Sequence, residues 1–315
     1  MREHSAVQKV VLITGGNRGI GLAAARKLAE RGYHVILTSR NVAAGKEAVA
    51  AIRQRVPGAT VETMQLDLAS FVSIRQFAEA FHAQGLPLHG LINNAGLMVV
   101  EKQPKFTADG FELTFGTNHL GHFLLTHLLL PDLLRSAPAR VVVVSSQTHM
   151  AGIGNGPPVD FDYANLRAEK YYQPEVFYKN SKLANLWFTY ELQRRLEGSG
   201  VTANAVCPGY VPATIAEHIP NPVGRWIFKN IVTRFADTRT VEQGADSLVF
   251  VAADPSLAGV GGKFSTDGRL IDSSPDSYEE AKARQLWDYS CAACGILQFG
   301  EPTTHKPLAL DSAKE

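Results

Sequence analysis

Val10-Val11-Leu12-Ile13-Thr14-Gly15-Gly16-Asn17-Arg18-Gly19-Ile20-Gly21 reads as a strand, a glycine-rich turn and the opening of a helix, in immediate succession. The four leading residues are aliphatic without alternation, which suits a short strand covered on both faces. Gly15 makes the turn, Gly19 lets a ligand approach the backbone closely, and Gly21 allows the helix to pack on the sheet. Asn17, Arg18 and Ile20 fill the rest of the loop. A helix starting here presents unpaired N–H groups and the positive end of its dipole, so the stretch predicts a pyrophosphate site heading a βαβ series.

The rest of the chain continues that rhythm. Strand-like runs fall at 10–13, 35–38, 63–66, 91–92, 141–144, 202–206 and 263–265, and segments with helical spacing at 20–30, 43–55, 70–83, 108–134, 176–196, 241–252 and 277–294. The alternation predicts an α/β fold: a single doubly wound Rossmann-type domain over 1–315, with a seven-stranded parallel sheet and helices on both faces. No repeat at a period of about 20 to 50 residues interrupts it. Two irregular segments break the pattern, 151–175 and 212–238, the second carrying Trp226, Phe228 and Phe235. Both follow strands on the edge where open α/β sheets bind ligands, and are expected to wall a substrate pocket.

Of the 315 residues 45% are hydrophobic and 19% charged, enough for a large core, and the formal charge of +1 gives no electrostatic reason to expect nucleic acid. Residues 1–9 are short and polar, and no apolar run is long enough for a membrane span. Cys207, Cys291 and Cys294 are too few for a disulfide framework. Cys291 and Cys294 have the spacing of half a metal site without a second pair, so no metal is expected. Together these features predict a cytoplasmic protein acting on a small molecule.

Tyr178-Lys179-Asn180-Ser181-Lys182 sets a phenol and an ammonium four residues apart on one helix face. A tyrosine has an ordinary pKa of about 10, and a nearby cation should draw it toward neutrality, making Tyr178 a proton donor and acceptor. The same spacing recurs at Tyr278 and Lys282, but beside Glu279 and Glu280 it reads as a solvated charged face.

Further motifs follow in order along the chain. Asp67-Leu68 ends the third strand, Asn93-Asn94-Ala95-Gly96 follows the fourth, and Asn118 lies in the long helical segment; Ser145-Ser146 ends the fifth strand, and Cys207-Pro208-Gly209 follows the sixth. With the Gly-x-x-x-Gly-x-Gly turn and the Tyr178–Lys182 pair, this set resembles the short-chain dehydrogenase/reductase family over roughly residues 9–267. The resemblance implies a nicotinamide cofactor contacted by Asp67, Leu68, Asn94, Ala95, Gly96, Pro208, Gly209, Val211 and Thr214. It also implies that Tyr178 exchanges the proton of the substrate oxygen and that Lys182 holds the nicotinamide ribose. Ser146 would steady that oxygen, with Ser145 as the alternative, and Asn118 would hold a water linking Lys182 to solvent.

The second strand ends in Ser39-Arg40, where an NAD enzyme would carry an acid on the ribose hydroxyls. Arg40 and Arg18 can converge instead on a 2′-phosphate, and NADP(H) is the expected cofactor. Ser146 and Tyr178 stand 32 residues apart, with Phe161, Tyr163, Tyr171 and Tyr172 between them. That insertion, Lys182-Leu183-Ala184-Asn185, and the stretch from Ala283 to Ser290 resemble the branch holding retinol dehydrogenases and light-dependent protochlorophyllide reductases. The chain lacks the apolar N-terminal anchor of many retinol dehydrogenases, and Tyr210 stands where the pigment reductases commonly have Cys. The expected activity is NADP(H)-dependent interconversion of a carbonyl and a secondary or primary alcohol on a bulky apolar molecule. The alternatives are a light-driven pigment reductase and a non-catalytic NADPH-binding scaffold. Family association through helices 108–134 and 176–196 implies a homodimer or homotetramer.

Overall fold

In the computed structural model, which describes residues 8–150, 161–212 and 237–300, the opening strand β1 (Val10–Ile13) lies inside the sheet with every residue buried. It pairs in parallel with β2 (His34–Ser39) on one side and β4 (Gly90–Asn93) on the other. β3 (Val61–Gln65) lies beyond β2, while β5 (Ala139–Val144), β6 (Val201–Cys207) and β7 (Phe264–Thr266) extend the sheet beyond β4, all parallel. The strand order is therefore 3-2-1-4-5-6-7, continued by an eighth strand, β8 (Arg269–Ile271).

β8 departs from the seven parallel strands expected. Asp267 and Gly268 have φ of 49° and 69°, a left-handed pair that closes a two-residue turn and brings Arg269 opposite Thr266 in antiparallel pairing. The strand is three residues long and mostly exposed, so it carries no hydrophobic alternation by which to read it.

Helices cover both faces. α1 (Gly19–Glu30), α2 (Val42–Arg55) and α7 (Val241–Ala253) pack on one side around Leu28, Leu37, Ile52 and Leu248. α3 (Phe71–Ala83), α5 (Gly121–Arg135) and α6 (Pro174–Arg195) pack on the other around Phe77, Leu91, Phe123 and Val143. Polar side chains open several of them: Asn41 caps α2 through Ala44 N, Ser70 caps α3, and Thr240 with Gln243 forms a capping box on α7. The helix expected at 108–134 is divided. Phe106 and Glu112 form an isolated antiparallel bridge, Glu112 caps the short α4 (Leu113–Phe115), and a π turn (Gly116–Leu120) precedes α5.

α8 (Glu280–Cys294) lies over α6 as an outer layer. It starts later than expected because Pro275–Tyr278 takes up a 3-10 turn. The Trp287 ring contacts Phe123 at 5.1 Å, Phe188 at 6.0 Å and Phe299 at 4.4 Å, and the Arg195 guanidinium sits 4.3 Å above it. With this layer in place α6 is buried at every position from Val176 to Leu192 except Tyr178. Phe161, Tyr163 and Tyr172 of the aromatic insertion pack against the same core. Phe161 packs 5.0 Å from Trp187 and 4.9 Å from Tyr163, and Tyr172 packs 5.2 Å from Phe177. Trp226, Phe228 and Phe235 lie outside the described residues. Among the described residues no helix is long and apolar enough to cross a membrane.

Candidate active site

A parallel sheet gathers the loops after its strands at one edge, and this strand order reverses between β1 and β4. The turn after β1 and the turn after β4 meet there. Thr14 Oγ1 accepts from both Asn94 N and Ala95 N at 2.9 Å, and Asn94 Nδ2 donates to Thr14 O at 2.7 Å. Gly15 has φ of +65°, and a Cβ on Gly21 would meet Gly15 O at 2.4 Å, so neither glycine can be replaced without moving the turn. Arg18 stands at the N-cap of α1 with extended backbone, and its side chain does not cap the first-turn N–H groups.

The remaining residues expected at a cofactor divide into two groups. Arg18 and Arg40 lie exposed on the loops after β1 and β2, and Asp67 is half-buried after β3 with Oδ1 accepting from Ala69 N at 3.0 Å. Asn17, Ile20 and Gly96 border the same edge, whereas Leu68 is buried, its carbonyl under Gly121. The Ser39 hydroxyl donates to Asn41 O at 2.9 Å and accepts from Asn41 N at 3.2 Å. Beyond β6, Pro208 and Gly209 are half-buried and Val211 is buried against Gly244; Thr214 lies outside the described residues.

Asn118, Ser146, Tyr178 and Lys182 come together above β4 and β5. The Tyr178 phenol hydrogen-bonds to the Ser146 side chain, and Lys182 Nζ lies 5.4 Å from the centre of the Tyr178 ring. Lys182 Nζ also donates to Val144 O at 3.4 Å. A Cβ on Gly96 would fall 3.3 Å from Asn118 Oδ1 and 3.6 Å from Lys182 Nζ, so the missing side chain leaves a gap bordered by both groups. The Asn118 amide makes three bonds: Oδ1 accepts from Leu97 N at 2.8 Å, and Nδ2 donates to Leu97 O at 2.8 Å and Ser181 Oγ at 3.1 Å. Ser145 donates to Lys182 O at 2.8 Å and is spent on the backbone, which leaves Ser146 as the serine facing Tyr178.

The electrostatics differ from expectation. Tyr178 keeps partial solvent access, yet burial of its phenol, followed by the Cys207 thiol, pushes its pKa up to about 12, with the Ser146 hydrogen bond opposing. Burial also brings Lys182 down to about 8. In the uncomplexed chain the phenol is thus raised, not lowered by Lys182, because Nζ lies over the ring face and desolvation outweighs it. Tyr178 therefore stays protonated at neutral pH. The second Tyr-x-x-x-Lys is structural: Tyr278 stacks on Tyr190 at 5.2 Å, its oxygen accepts from Ser273 N at 3.1 Å, and Lys282 pairs with Glu279 at 2.8 Å.

Sequence reasoning passed over the histidines. His149 is buried beside Ser146; its Nδ1 contacts Ser146 O, and Nε2 accepts from Ser274 N at 3.1 Å. Burial pushes His119 down to about 3, and His122 and His127 to about 4. These rings stay neutral in the fold and gain protons in the unfolded chain near pH 6.5, so their contribution is whole above that pH and declines as pH falls toward 4. Each adds about 1.4 kcal/mol per pH unit to the slope in that window. Thermal melts should show Tm falling steeply between pH 6.5 and 4, and less steeply in His127→Gln; equal slopes would remove His127 from the account. A cavity of about 340 Å³ lined by Leu130, Leu192, Leu196 and Phe299 lies about 20 Å along α6 from Tyr178, apart from this cluster.

A glycine turn at the switch point of a doubly wound sheet, with Ser146, Tyr178 and Lys182 gathered beside it, defines a Rossmann-type oxidoreductase. The sequence matches the short chain dehydrogenase family over residues 9–158 and is 41% identical to retinol dehydrogenase 11 of Mus musculus over 288 residues, 91% of this chain and 87% of the relative. The chain belongs to the short-chain dehydrogenase/reductase family, in its retinol dehydrogenase-like branch. Polyprenol dehydrogenase of Homo sapiens is 39% identical over 302 residues, 92% of this chain and 86% of that one. The crystal structure of an uncharacterised protein from Mycobacterium Paratuberculosis superposes with a TM-score of 0.70 at 35% identity, covering 92% of this chain and 94% of that one. A variant actinorhodin polyketide ketoreductase solved with NADPH gives 0.62 at 25% identity, covering 82% and 95%.

Proposed function

We propose that the chain is a single catalytic unit, 1–315, that interconverts a long apolar alcohol and its carbonyl with NADP(H). The observation that carries this reading is the gathering of Ser146, Tyr178 and Lys182 beside one another, with Lys182 and Asn118 bordering the gap left by Gly96. That gap, and the turn made tight by Gly15 and Gly21, fit a dinucleotide lying over the sheet edge. Gly15, Asn17, Gly19, Ile20, Gly21, Asn94, Ala95 and Gly96 would hold it, together with Asp67, Pro208, Gly209 and Val211. When bound, the cofactor supplies or accepts hydride.

The chain's own groups manage the proton. Tyr178, protonated at neutral pH, gives its proton to the carbonyl oxygen during reduction and takes it back during oxidation. Ser146 steadies that oxygen through its hydroxyl, directed where negative charge develops. Lys182 holds positive charge beside the phenol as it ionises, and the Asn118 amide keeps Leu97 and Ser181 in place around it.

Support for the substrate class comes from the names of the relatives, retinol and polyprenol dehydrogenase, both of which denote long isoprenoid alcohols. Arg18 and Arg40 support a 2′-phosphate. The three thiols are unpaired among the described residues, in keeping with the cytoplasmic location that forms part of this proposal. Purified enzyme offered retinal and a short polyprenal with NADPH or NADH, in darkness and in light, should consume NADPH in darkness. Turnover only under illumination would favour the pigment-reductase reading, and NADPH binding without turnover across a broad carbonyl panel would favour a scaffold.

A further inference from the structure

His122 opens α5, one turn after Asn118, and its side chain is buried at 1% exposure. Nδ1 lies 3.0 Å from the Asn118 carbonyl, which can only accept, so Nδ1 carries the ring proton. Nε2 lies 2.9 Å from Thr14 Oγ1 and in a neutral ring accepts the hydroxyl proton. Both lone pairs of Thr14 Oγ1 are already filled by Asn94 N and Ala95 N at 2.9 Å, and its single proton faces two acceptors, His122 Nε2 at 2.9 Å and the Ile92 carbonyl at the longer distance of 3.4 Å. The shorter contact, to His122, matches the Nδ1-protonated ring at both of its nitrogens.

Three segments distant in sequence meet at the node: the end of β1, the turn after β4 and the π turn carrying Asn118. The π register, in which Gly121 N donates to Gly116 O, sets Asn118 where its carbonyl meets the His122 ring and its amide meets Leu97 and Ser181. A continuous path thus runs from Thr14 through His122 and Asn118 to Ser181, the residue before Lys182. We propose that His122 is a positioning residue that holds the cofactor turn and Asn118 in one register, through Nε2 to Thr14 and Nδ1 to the Asn118 carbonyl. It touches neither substrate nor cofactor, and its role rests on reading the site as a hydride-transfer centre.

Two substitutions separate the two ends of the ring. His122→Asn places an amide nitrogen near the Nδ1 position and keeps the Asn118 bond while abandoning Thr14. His122→Gln places an amide oxygen near the Nε2 position and keeps Thr14 while abandoning Asn118. H122N should raise the KM for NADPH about 10-fold with kcat within about twofold of wild type, the equivalent of one neutral hydrogen bond. H122Q should lower kcat about 10-fold with little change in that KM. Equal losses in both parameters for both variants, the mark of a role in stability alone, would overturn the proposal, as would no loss in either. In the unliganded wild type, nitrogen NMR of labelled histidine should find the His122 ring neutral and protonated at Nδ1; a proton on Nε2 overturns it. Absence of turnover in the wild type would count against the hydride-transfer reading alone, since the ring tautomer and NADPH affinity by fluorescence are measured without turnover.

Discussion

Tyr178→Phe should lower kcat for carbonyl reduction by about 10³-fold, within the range for loss of a general acid, while NADPH affinity stays within about twofold. The substitution removes one oxygen, the one hydrogen-bonded to Ser146, and leaves the ring over which Lys182 sits. Packing is preserved, so the loss falls on the proton and not on the fold. Tyr278→Phe is the matched control: it removes the acceptor for Ser273 N while keeping the stack on Tyr190, and should leave kcat unchanged. Steady-state kinetics on the two variants decide between the two Tyr-x-x-x-Lys copies. Wild-type kcat in Tyr178→Phe would remove Tyr178 from the chemistry.

Replacing both Arg18 and Arg40 with Ala should raise the KM for NADPH by about 100-fold, with NADH kinetics within about twofold of wild type. Each guanidinium is expected to make a charge-assisted bond to the 2′-phosphate worth about 1.5–3 kcal/mol, and solvent exposure places the pair near the lower end. NADH lacks that phosphate and has nothing to lose. Equal losses with both cofactors would mean that the arginines hold the loops and do not read the phosphate. Salt should weaken the wild-type preference for NADPH, because both side chains are exposed.

Sequence exposed whatever was decided locally. The β1–turn–α1 unit lies within one residue of expectation, since aliphatic run, glycines and helix start are adjacent. Ser146, Tyr178, Lys182 and Asn118 fall together as their motif order implies. What was not legible depends on partners distant in the chain. Helical periodicity does not separate an i+4 from an i+5 register, so the π turn around Asn118 gave no signal. Aromatic composition is the same in a pocket wall and a core, and only its contacts with Phe115 and Trp187 place Phe161 against the core. The direction of the Tyr178 shift turned on burial, which the spacing to Lys182 does not encode. The Ser39 hydroxyl closes the turn to Asn41, a local contact that its position after β2 does not announce. Asp267-Gly268 was a readable hairpin signal passed over because the strand after it is so short.

α8 has a consequence for how the catalytic layer acquires its stability. The apolar faces of α5 and α6 that carry Phe123 and Phe188 are covered by Trp287 and Phe299 of the same chain. Burial of those faces is therefore unimolecular, and its contribution is the same at any protein concentration. Lys182 and Asn118 stand on a support that each chain completes alone.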